Sequence, residues 1–181
     1  MFIVGNGTER MYVSTLKLKD EVVVDMFCGI GYFSLPLAKH NQLKALICIE
    51  KNETSFHYLR ENVRSNKLEN TGIVTILGDN RECGNDWVGK ADRVFMGYLP
   101  TPVAFLPRAF AFLKPTGGII HYHHTCSKQE FETLALLHME QVKSANFSLS
   151  NLCFHLLDFR VVKSYAPHIF HCVADILIQP E

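Results

Sequence analysis

The chain has 181 residues, 48% of them hydrophobic, and its 18 basic and 18 acidic residues leave no formal net charge. This length and apolar content predict a folded globular protein and exclude a disordered chain. The zero charge argues against an RNA-binding domain that works alone, because such domains usually carry a basic excess.

The six cysteines, at positions 28, 48, 83, 126, 153 and 172, include no Cys-x-x-Cys pair and no spacing typical of a metal site. We therefore expect free thiols in a reducing compartment. The sequence shows no signal peptide, transmembrane run or lipidation motif. Together these features predict a cytoplasmic protein without membrane contact.

The chain begins with a lead-in segment, residues 1–20, in which we expect a short strand at 1–4 and a glycine turn at 5–7. Three valines at 22–24 then predict a strand buried on both faces. This strand leads into a glycine turn, and a helix is predicted from there to residue 40, with Pro36 in its first turn.

The rest of the chain continues the alternation of strands and helices. We predict strands at 45–49, 73–77, 91–96, 118–123, 151–163 and 168–178, and helices at 52–67, 103–113 and 127–146. About five β-α repeats followed by two strands predict an α/β fold: a doubly wound, mostly parallel seven-stranded sheet with a C-terminal antiparallel hairpin edge. Because no repeat or linker is present, we expect a single domain over residues 1–181.

Ligands of such sheets bind at the carboxyl ends of the strands, so the residues that follow each strand are candidates for a binding site. At the end of the first strand, Asp25 offers an acceptor, and Gly29 and Gly31 let the backbone approach a ligand closely. The amides that open the next helix add unpaired donors. This first turn is therefore the centre of the predicted site.

Two further strand ends carry polar side chains. Glu50 follows Gly31 by 19 residues, where a carboxylate can accept both hydroxyls of a ribose; a solvated strand-end acid is the alternative. Asp79 and Asn80 follow the third strand, where a carboxylate can recognise an adenine amino group. A simple Gly-Asp-Asn turn is compatible with that role.

The motifs that are missing narrow the class of ligand. The sequence has no Gly-x-x-x-x-Gly-Lys loop and no third glycine of the dinucleotide fingerprint, which disfavours an NTPase and NAD. A mononucleoside-type ligand such as S-adenosylmethionine remains. His121 and His123 share one face of a strand, but the third metal ligand would have to come from His168 or His171, so core or pocket-rim positions are favoured over a metal site.

Four motifs, DMFCGIGYF (25–33), EKN (50–52), GDNR (78–81) and ADRV (91–94), resemble the S-adenosylmethionine-dependent enzymes that modify the purine beside the tRNA anticodon. Two sibling families share this core: the guanosine N1-methyltransferase and the wybutosine-synthesising aminocarboxypropyltransferase. The segments IIHYH (119–123) and YAPH (165–168), together with GDNR, resemble the second family. The methyltransferase has an asparagine in an Asn-Leu-Pro or Asn-Pro-Pro motif after the fourth strand, and Gly97 stands in that place here.

This resemblance covers residues 1–178 and implies the Rossmann-like fold of class I S-adenosylmethionine-dependent methyltransferases. It implies transfer of the 3-amino-3-carboxypropyl group from S-adenosylmethionine, as co-substrate, to a tricyclic wyosine precursor beside the anticodon of phenylalanine tRNA. Methylthioadenosine would be released, and no metal is expected. The alternatives are the N1-methyltransferase activity and a catalytically inactive module that binds the cofactor.

Site residues follow from the resemblance and from the strand ends. Cofactor contacts are expected from Arg10, Asp25, Phe27, Gly29, Gly31, Glu50, Lys51, Asp79 and Asn80. No catalytic residue is assigned, and the candidates for the substrate pocket are Gly97, Tyr98, Pro100 and His123. Among these, the Tyr98 ring can stack on a base, as aromatic side chains do in single-stranded RNA sites.

The chain departs from the resembling family in two respects. Ile3 stands where the family usually has a serine, which removes one polar cofactor contact. The chain also begins almost at the core, without the RNA-docking region that precedes it in the family. We therefore expect weak tRNA binding by this chain alone, and a fragment, a reduced isoform and a degenerate paralogue remain open. The oligomeric state is not predicted.

Overall fold

The computed structural model describes residues 7–181, so the strand predicted at 1–4 and the position of Ile3 lie outside the described residues. The chain forms two compact units, Met1–Asn85 and Asp86–Glu181. A single domain over residues 1–181 stays a prediction.

From residue 7 onwards, the first unit contains three parallel strands and three α-helices. Its elements are α1 (Gly7–Thr15), β1 (Val22–Asp25), α2 (Ser34–His40), β2 (Ala45–Glu50), α3 (Glu53–Ser65) and β3 (Ile73–Leu77). β2 lies between the other two strands, with Val23 opposite Leu46 and Cys48 opposite Thr75. All four residues of β1 are buried, as its valines predict. The carboxyl ends of the three strands therefore lie side by side at one end of the sheet.

Local sequence signals explain α3 better than α1. The side chain of Asn52 caps α3 by accepting a hydrogen bond from the N–H of Ser55 at 2.9 Å, and Leu59 and Val63 bury its inner face. α1 lies in the predicted lead-in segment, where no helix was expected. Its sequence, GTERMYVST, begins with glycine and has no helical apolar stripe, so periodicity does not reveal it.

The second unit contains four strands and two α-helices. Its elements are β4 (Arg93–Met96), α4 (Leu106–Phe112), β5 (Gly118–Cys126), α5 (Leu134–Ser144), β6 (Leu152–Ala166) and β7 (Ile169–Pro180). β4 and β5 are parallel, β7 is antiparallel to β5, and β6 is antiparallel to β7. The predicted C-terminal hairpin is therefore confirmed. Short 3-10 helices occur at Asn85–Trp87, Val103–Phe105, Lys128–Glu130 and Phe147–Leu149.

The helix predicted at 127–146 is shorter than expected. Ser127 donates to Glu130 Oε2 through its N–H at 2.8 Å and its hydroxyl at 2.7 Å, which closes a capping box around a single 3-10 turn. Glu132 then has a φ of 64°, a left-handed conformation that interrupts any helix. For this reason α5 begins only at Leu134.

Each unit has its own apolar interior. Val23, Leu46 and Leu59 are fully buried in the first unit, and Phe95 and Phe112 in the second. All six cysteines have free thiols, as their spacing predicts. None of the helices between residues 7 and 181 has the length and apolar character needed to cross a bilayer.

Candidate functional site

The first candidate site lies at the carboxyl ends of β1, β2 and β3, all within the first unit. Most of the predicted cofactor residues lie there, on the strand ends and the loops that follow. We call this set the strand-end site, and it consists of Asp25, Phe27, Gly29, Gly31, Glu50, Lys51, Asp79 and Asn80.

Asp25, the last residue of β1, shapes the turn from inside the protein. Its Oδ2 accepts a hydrogen bond from the Ser34 hydroxyl at 2.6 Å, and its Oδ1 accepts from the Phe27 N–H at 3.3 Å. The side chain is fully buried, and burial raises the pKa of its carboxyl group to about 6. The carboxyl group thus joins the strand, the turn and the start of α2. We infer a positioning role, in place of the direct ligand contact expected from the sequence.

The two glycines of the turn are needed for different reasons. Gly29 has a φ of 56°, and a Cβ built there would meet no atom within 4 Å, so its surface stays open to a ligand. Gly31 has a φ of 95°, and a Cβ there would lie 2.7 Å from Cγ of Leu35 and 3.0 Å from Cδ1 of Leu59. Gly31 therefore lets the turn pack closely against α2 and α3.

Glu50 at the end of β2 holds its carboxylate in a fixed position. Its Oε2 accepts from the Gly29 N–H at 2.8 Å, and its Oε1 accepts from the Asn52 N–H at 2.7 Å. The residue is half-buried. Each carboxylate oxygen has two lone-pair positions, so each can still accept one hydroxyl hydrogen. The contact of Glu50 with the two hydroxyls of a ribose stays a prediction.

The carboxylate of Asp79, after β3, accepts more hydrogen bonds from neighbouring side chains than the sequence suggests. Its Oδ1 accepts from the Arg81 N–H at 3.0 Å and from Arg81 Nε at 2.9 Å. Its Oδ2 accepts from Arg81 Nη2 at 2.6 Å and from Lys51 Nζ at 2.9 Å. The hydrogen bonds from Arg81, followed by the one from Lys51, hold the pKa of this carboxyl well below its usual range. The four donors fill its four acceptor positions.

Asn80 stabilises the loops of the strand-end site from a buried position. It is 5% exposed, and its Nδ2 donates to the carbonyl of Met26 at 2.8 Å. This bond ties the loop after β3 to the turn after β1. With the bond between Gly29 and Glu50, it links the three strand ends and fixes their separation before any ligand binds.

Arg10 lies away from these acidic groups. It is on α1 and lines a cleft of about 280 Å³ between the three helices of the first unit. We call this the helix cleft, and its polar lining comprises Arg10, Ser14, Tyr32, Lys39, His40, Asn62 and Asn66. Neither Glu50 nor Asp79 is among the residues that line it. A cofactor contact by Arg10 stays a prediction.

In the second unit, the segment after β4 holds three of the predicted pocket residues, Gly97, Tyr98 and Pro100. The carbonyl of Pro100 accepts from the Thr125 N–H at 2.8 Å, which fixes the segment to the end of β5. The Tyr98 side chain is 46% exposed, and its ring meets the edge of Phe105 with centroids 5.6 Å apart. The segment therefore presents an aromatic ring from a fixed backbone.

A hydrogen-bonded chain behind this segment was missed in the sequence analysis. The hydroxyl of the fully buried Tyr122 lies 3.1 Å from Thr101 Oγ1 and 2.9 Å from His138 Nδ1. Thr101 directly follows Pro100, so these two hydrogen bonds anchor the segment to β5 and α5. The sequence of β5 gives no signal for it, because nothing there identifies a partner on α5.

His123, the fourth pocket candidate, lies in the interior of the second unit. It is 1% exposed, and its Nδ1 is 3.1 Å from Nε2 of His171. Burial, and next the neighbouring His171, hold its pKa well below the usual value, so the ring is neutral. His121 pairs with Asp175 at 2.6 Å. Within residues 7–181 no group of three His, Cys, Asp or Glu side chains is arranged to hold a metal ion.

The chain also matches a known protein family over most of its length. The family described as the TRM5/TYW2 methyltransferase domain matches residues 1–148. The chain belongs to this family. The family suggested by the motifs around Gly29, Glu50 and Asp79 is thereby confirmed.

Curated relatives in both branches of the TRM5/TYW2 family are similar to the chain. The tRNA(Phe) (4-demethylwyosine(37)-C(7)) aminocarboxypropyltransferase of Methanocaldococcus jannaschii is 40% identical over 177 residues, covering 97% of this chain and 67% of the relative. The enzyme of the same name from Pyrococcus horikoshii is 34% identical, covering 98% and 61%. The tRNA (guanine(37)-N(1))-methyltransferase Trm5b of Pyrococcus abyssi is 33% identical, covering 95% and 48%. The chain thus spans about half to two thirds of these proteins.

Solved structures of the same family confirm the fold class. M. jannaschii TYW2 in complex with AdoMet has a TM-score of 0.86 and 38% identity, covering 100% of this chain and 78% of that one. P. horikoshii TYW2 in complex with MeSAdo has a TM-score of 0.88 and 32% identity, covering 100% and 65%. The seven strands and the antiparallel hairpin are therefore those of the Rossmann-like fold expected from the sequence.

Proposed function

We propose that the chain transfers the 3-amino-3-carboxypropyl group of S-adenosylmethionine to C7 of 4-demethylwyosine in phenylalanine tRNA, a step of wybutosine synthesis. The observation that carries the proposal is the similarity to two relatives with this named activity, at 40% and 34% identity over nearly the whole chain. The chain spans 67% and 61% of the lengths of these relatives.

The strand-end site suits the nucleoside part of S-adenosylmethionine. Glu50 holds two oxygens in place by hydrogen bonds from Gly29 and Asn52, and each oxygen keeps an acceptor position for a ribose hydroxyl. The open surface beside Gly29 leaves room for a ligand to lie on the turn. When bound, S-adenosylmethionine supplies a sulfonium that activates its three attached carbons, so the protein contributes mainly positioning.

Recognition of the adenine by Asp79 requires a rearrangement of its partners. All four acceptor positions of this carboxylate are filled by Lys51 and Arg81. The side chains of Lys51 and Arg81 are 73% and 57% exposed, so turning one of them into water costs little. The adenine amino group then donates to the vacated position.

Gly97 favours aminocarboxypropyl transfer over methyl transfer. An asparagine in its place, as in the methyltransferase sibling, offers an amide that can hold the methyl group towards the base. Glycine has no side chain, so this anchor for the methyl group is absent. A bond then forms between C7 and the carbon of the aminocarboxypropyl group next to sulfur, and the bond from that carbon to sulfur breaks. Methylthioadenosine leaves with the bonding electrons, and C7 loses its proton.

The segment after β4 is the proposed contact with the tRNA base. The exposed face of Tyr98 offers a stacking surface, and the bond between Pro100 and Thr125 holds the backbone beneath it. The substrate is phenylalanine tRNA in the region of the anticodon, and the protein acts in the cytoplasm. With no net charge, the chain alone binds tRNA weakly, with the shallow salt dependence of few phosphate contacts.

The nucleoside by-product distinguishes the candidate functions. The chain is incubated with S-adenosylmethionine and tRNA that bears the precursor, and the by-products are separated by chromatography with mass detection. We expect methylthioadenosine. In a parallel reaction with tRNA that keeps an unmodified guanosine beside the anticodon, S-adenosylhomocysteine with methylated guanosine would assign the chain to the methyltransferase activity of Trm5 relatives. Neither by-product, despite binding of both substrates, would favour an inactive module.

A further inference from the structure

The turn between β6 and β7 lies at the same end of the sheet as the segment after β4. Thr125 of β5 donates through its N–H to the carbonyl of Pro100 at 2.8 Å. In the sheet, Thr125 is opposite His171 of β7, and His171 is opposite Lys163 of β6. Because neighbouring strands lie about 4.8 Å apart, Lys163 is roughly 10 Å from Thr125 across the sheet. We call residues 163–168, the end of β6 and the turn to β7, the hairpin end.

A β-bulge turns one aromatic side chain out of the hairpin end. The register between β6 and β7 shifts between Ser164 and Ala166, so Tyr165 has no opposite residue on β7. Tyr165 is 51% exposed. Bulges re-aim side chains and are over-represented next to active sites. Pairing within the sheet therefore gives no reason for an aromatic ring at this position.

A tight turn holds the hairpin end in one conformation. Ala166 is opposite Ile169, so the loop consists of Pro167 and His168 alone. The proline ring fixes its own φ, and His168 has a φ of 62°, in the left-handed region. An aromatic ring on such a frame loses little conformational freedom when it binds a partner.

The hairpin end carries positive charge in a chain that has no net charge. No acidic residue occurs in the sequence between Asp158 and Asp175. Lys163 is exposed, and Lys128 places its Nζ 5.7 Å from the ring centroid of Phe170, just after the hairpin end. In the described part of the chain, no carboxylate lies within ion-pair distance of Lys128 or Lys163. An exposed ring and cations without a carboxylate partner therefore occur together.

We propose that the hairpin end binds the RNA substrate beside the purine that is modified. The ring of Tyr165 stacks on a neighbouring base, and Lys163 contacts a backbone phosphate. This inference rests on the proposed function, since it adds a second contact with the same substrate. Unpaired bases of RNA loops stack on aromatic side chains, and cations along the path contact the backbone.

The position of the hairpin end suits a nucleotide next to the target. The segment after β4, with the exposed ring of Tyr98, is the proposed contact with the target base. The roughly 10 Å from Thr125 to Lys163 is short enough for neighbouring nucleotides of one RNA loop to span. Two stacking surfaces at the same end of the sheet would hold the loop open and orient the target base.

RNA affinity and its salt dependence test the two contacts separately. Binding of labelled phenylalanine tRNA is followed by fluorescence anisotropy at several salt concentrations for wild type, Tyr165→Ala, Tyr165→Phe and Lys163→Gln. We expect Tyr165→Ala to bind about 5- to 20-fold more weakly with an unchanged salt slope, because stacking releases no counterions. Lys163→Gln should reduce the slope by roughly 0.7 to 1. Tyr165→Phe keeps the ring and should match wild type.

A matched control and a base probe identify the stacking contact. Tyr58→Ala removes a tyrosine of α3 that is also 51% exposed, and this variant should bind like wild type. The fluorescent base 2-aminopurine, placed in the tRNA next to the modified purine, is quenched when it stacks. We expect quenching by wild type and by Tyr165→Phe, and much less quenching by Tyr165→Ala at saturating protein.

The possible results decide between the contacts. Equal affinities of Tyr165→Ala and Tyr58→Ala would overturn the proposal. Equal losses in Tyr165→Ala and Tyr165→Phe would assign the effect to the hydroxyl group and overturn the stacking contact, and an unchanged salt slope in Lys163→Gln would overturn the phosphate contact. Release of methylthioadenosine is measured in parallel. If the proposed function fails, wild type releases none, while the effect of Tyr165→Ala on RNA binding stays measurable.

Discussion

Replacing Glu50 by glutamine perturbs the carboxylate that is proposed to bind the ribose. In the structure this group accepts from the N–H groups of Gly29 and Asn52. Glutamine keeps one acceptor oxygen and places an NH2 group where the other oxygen was. One backbone N–H then faces a donor, and one of the two expected ribose contacts is lost.

The magnitude follows from the loss of hydrogen bonds to a charged group. Such bonds contribute about 1.5–3 kcal/mol, so we expect the free energy of S-adenosylmethionine binding by Glu50→Gln to weaken by about 1–3 kcal/mol, or roughly 5- to 150-fold in Kd. The backbone N–H that loses its acceptor lowers the free energy of unfolding by about 1–2 kcal/mol as well.

Titration calorimetry on the folded protein separates these two effects. Kd is measured well below the melting temperature, and the free energy of unfolding is measured by urea denaturation in the same buffer. Glu53→Gln is the control, because Glu53 is an exposed carboxylate in the first turn of α3, three residues further along. A Glu50→Gln protein that is less stable but keeps the wild-type Kd would refute the ribose contact and leave Glu50 a purely structural role.

Three further substitutions test the geometry of both units. Gly31→Ala should lower the free energy of unfolding by about 2–4 kcal/mol, because its Cβ would meet Leu35 at 2.7 Å in a left-handed backbone; unchanged urea denaturation would contradict this. The pKa of Asp25 is raised from 3.8 to about 6, so the folded protein holds this proton more tightly than the unfolded chain, and the group's contribution to the free energy of unfolding falls by about 2 kcal/mol as pH rises from 4 to 6. Asp25→Asn should lack that decrease in urea denaturations across this range, and a decrease equal to wild type would disprove it. Tyr122→Phe removes two hydrogen bonds behind the segment after β4 and should lower kcat with little change in KM for the co-substrate, whereas the exposed Tyr165→Phe should match wild type.

Much of the strand-end site could be predicted because its signals are local in the sequence. The valines of β1 specify a buried strand, and a glycine turn followed by Glu50 has few other uses in a parallel sheet. The cap of α3 at Asn52 is equally local. In each case a short run of residues determines both the backbone and the direction of the side chain.

The other features depend on which side chains meet in three dimensions. Two acceptor positions of the Asp79 carboxylate are taken by the guanidinium of Arg81, two residues away, because the loop turns that side chain back towards Asp79. Asp25 is buried because Ser34 folds over it at the start of α2. Arg10 lines the helix cleft because α1, which has no apolar stripe, packs beside α2. Spacing along the chain carries none of this information.

The fate of the two labelled ends of S-adenosylmethionine tests the central claim most directly. Parallel reactions contain precursor-bearing phenylalanine tRNA and S-adenosylmethionine labelled either in the carboxyl group or in the methyl group, and the radioactivity retained in the tRNA is counted. The proposed transfer predicts that the carboxyl label enters the tRNA and that the methyl label stays with the released nucleoside. Methyl label in the tRNA, without carboxyl label, would contradict it.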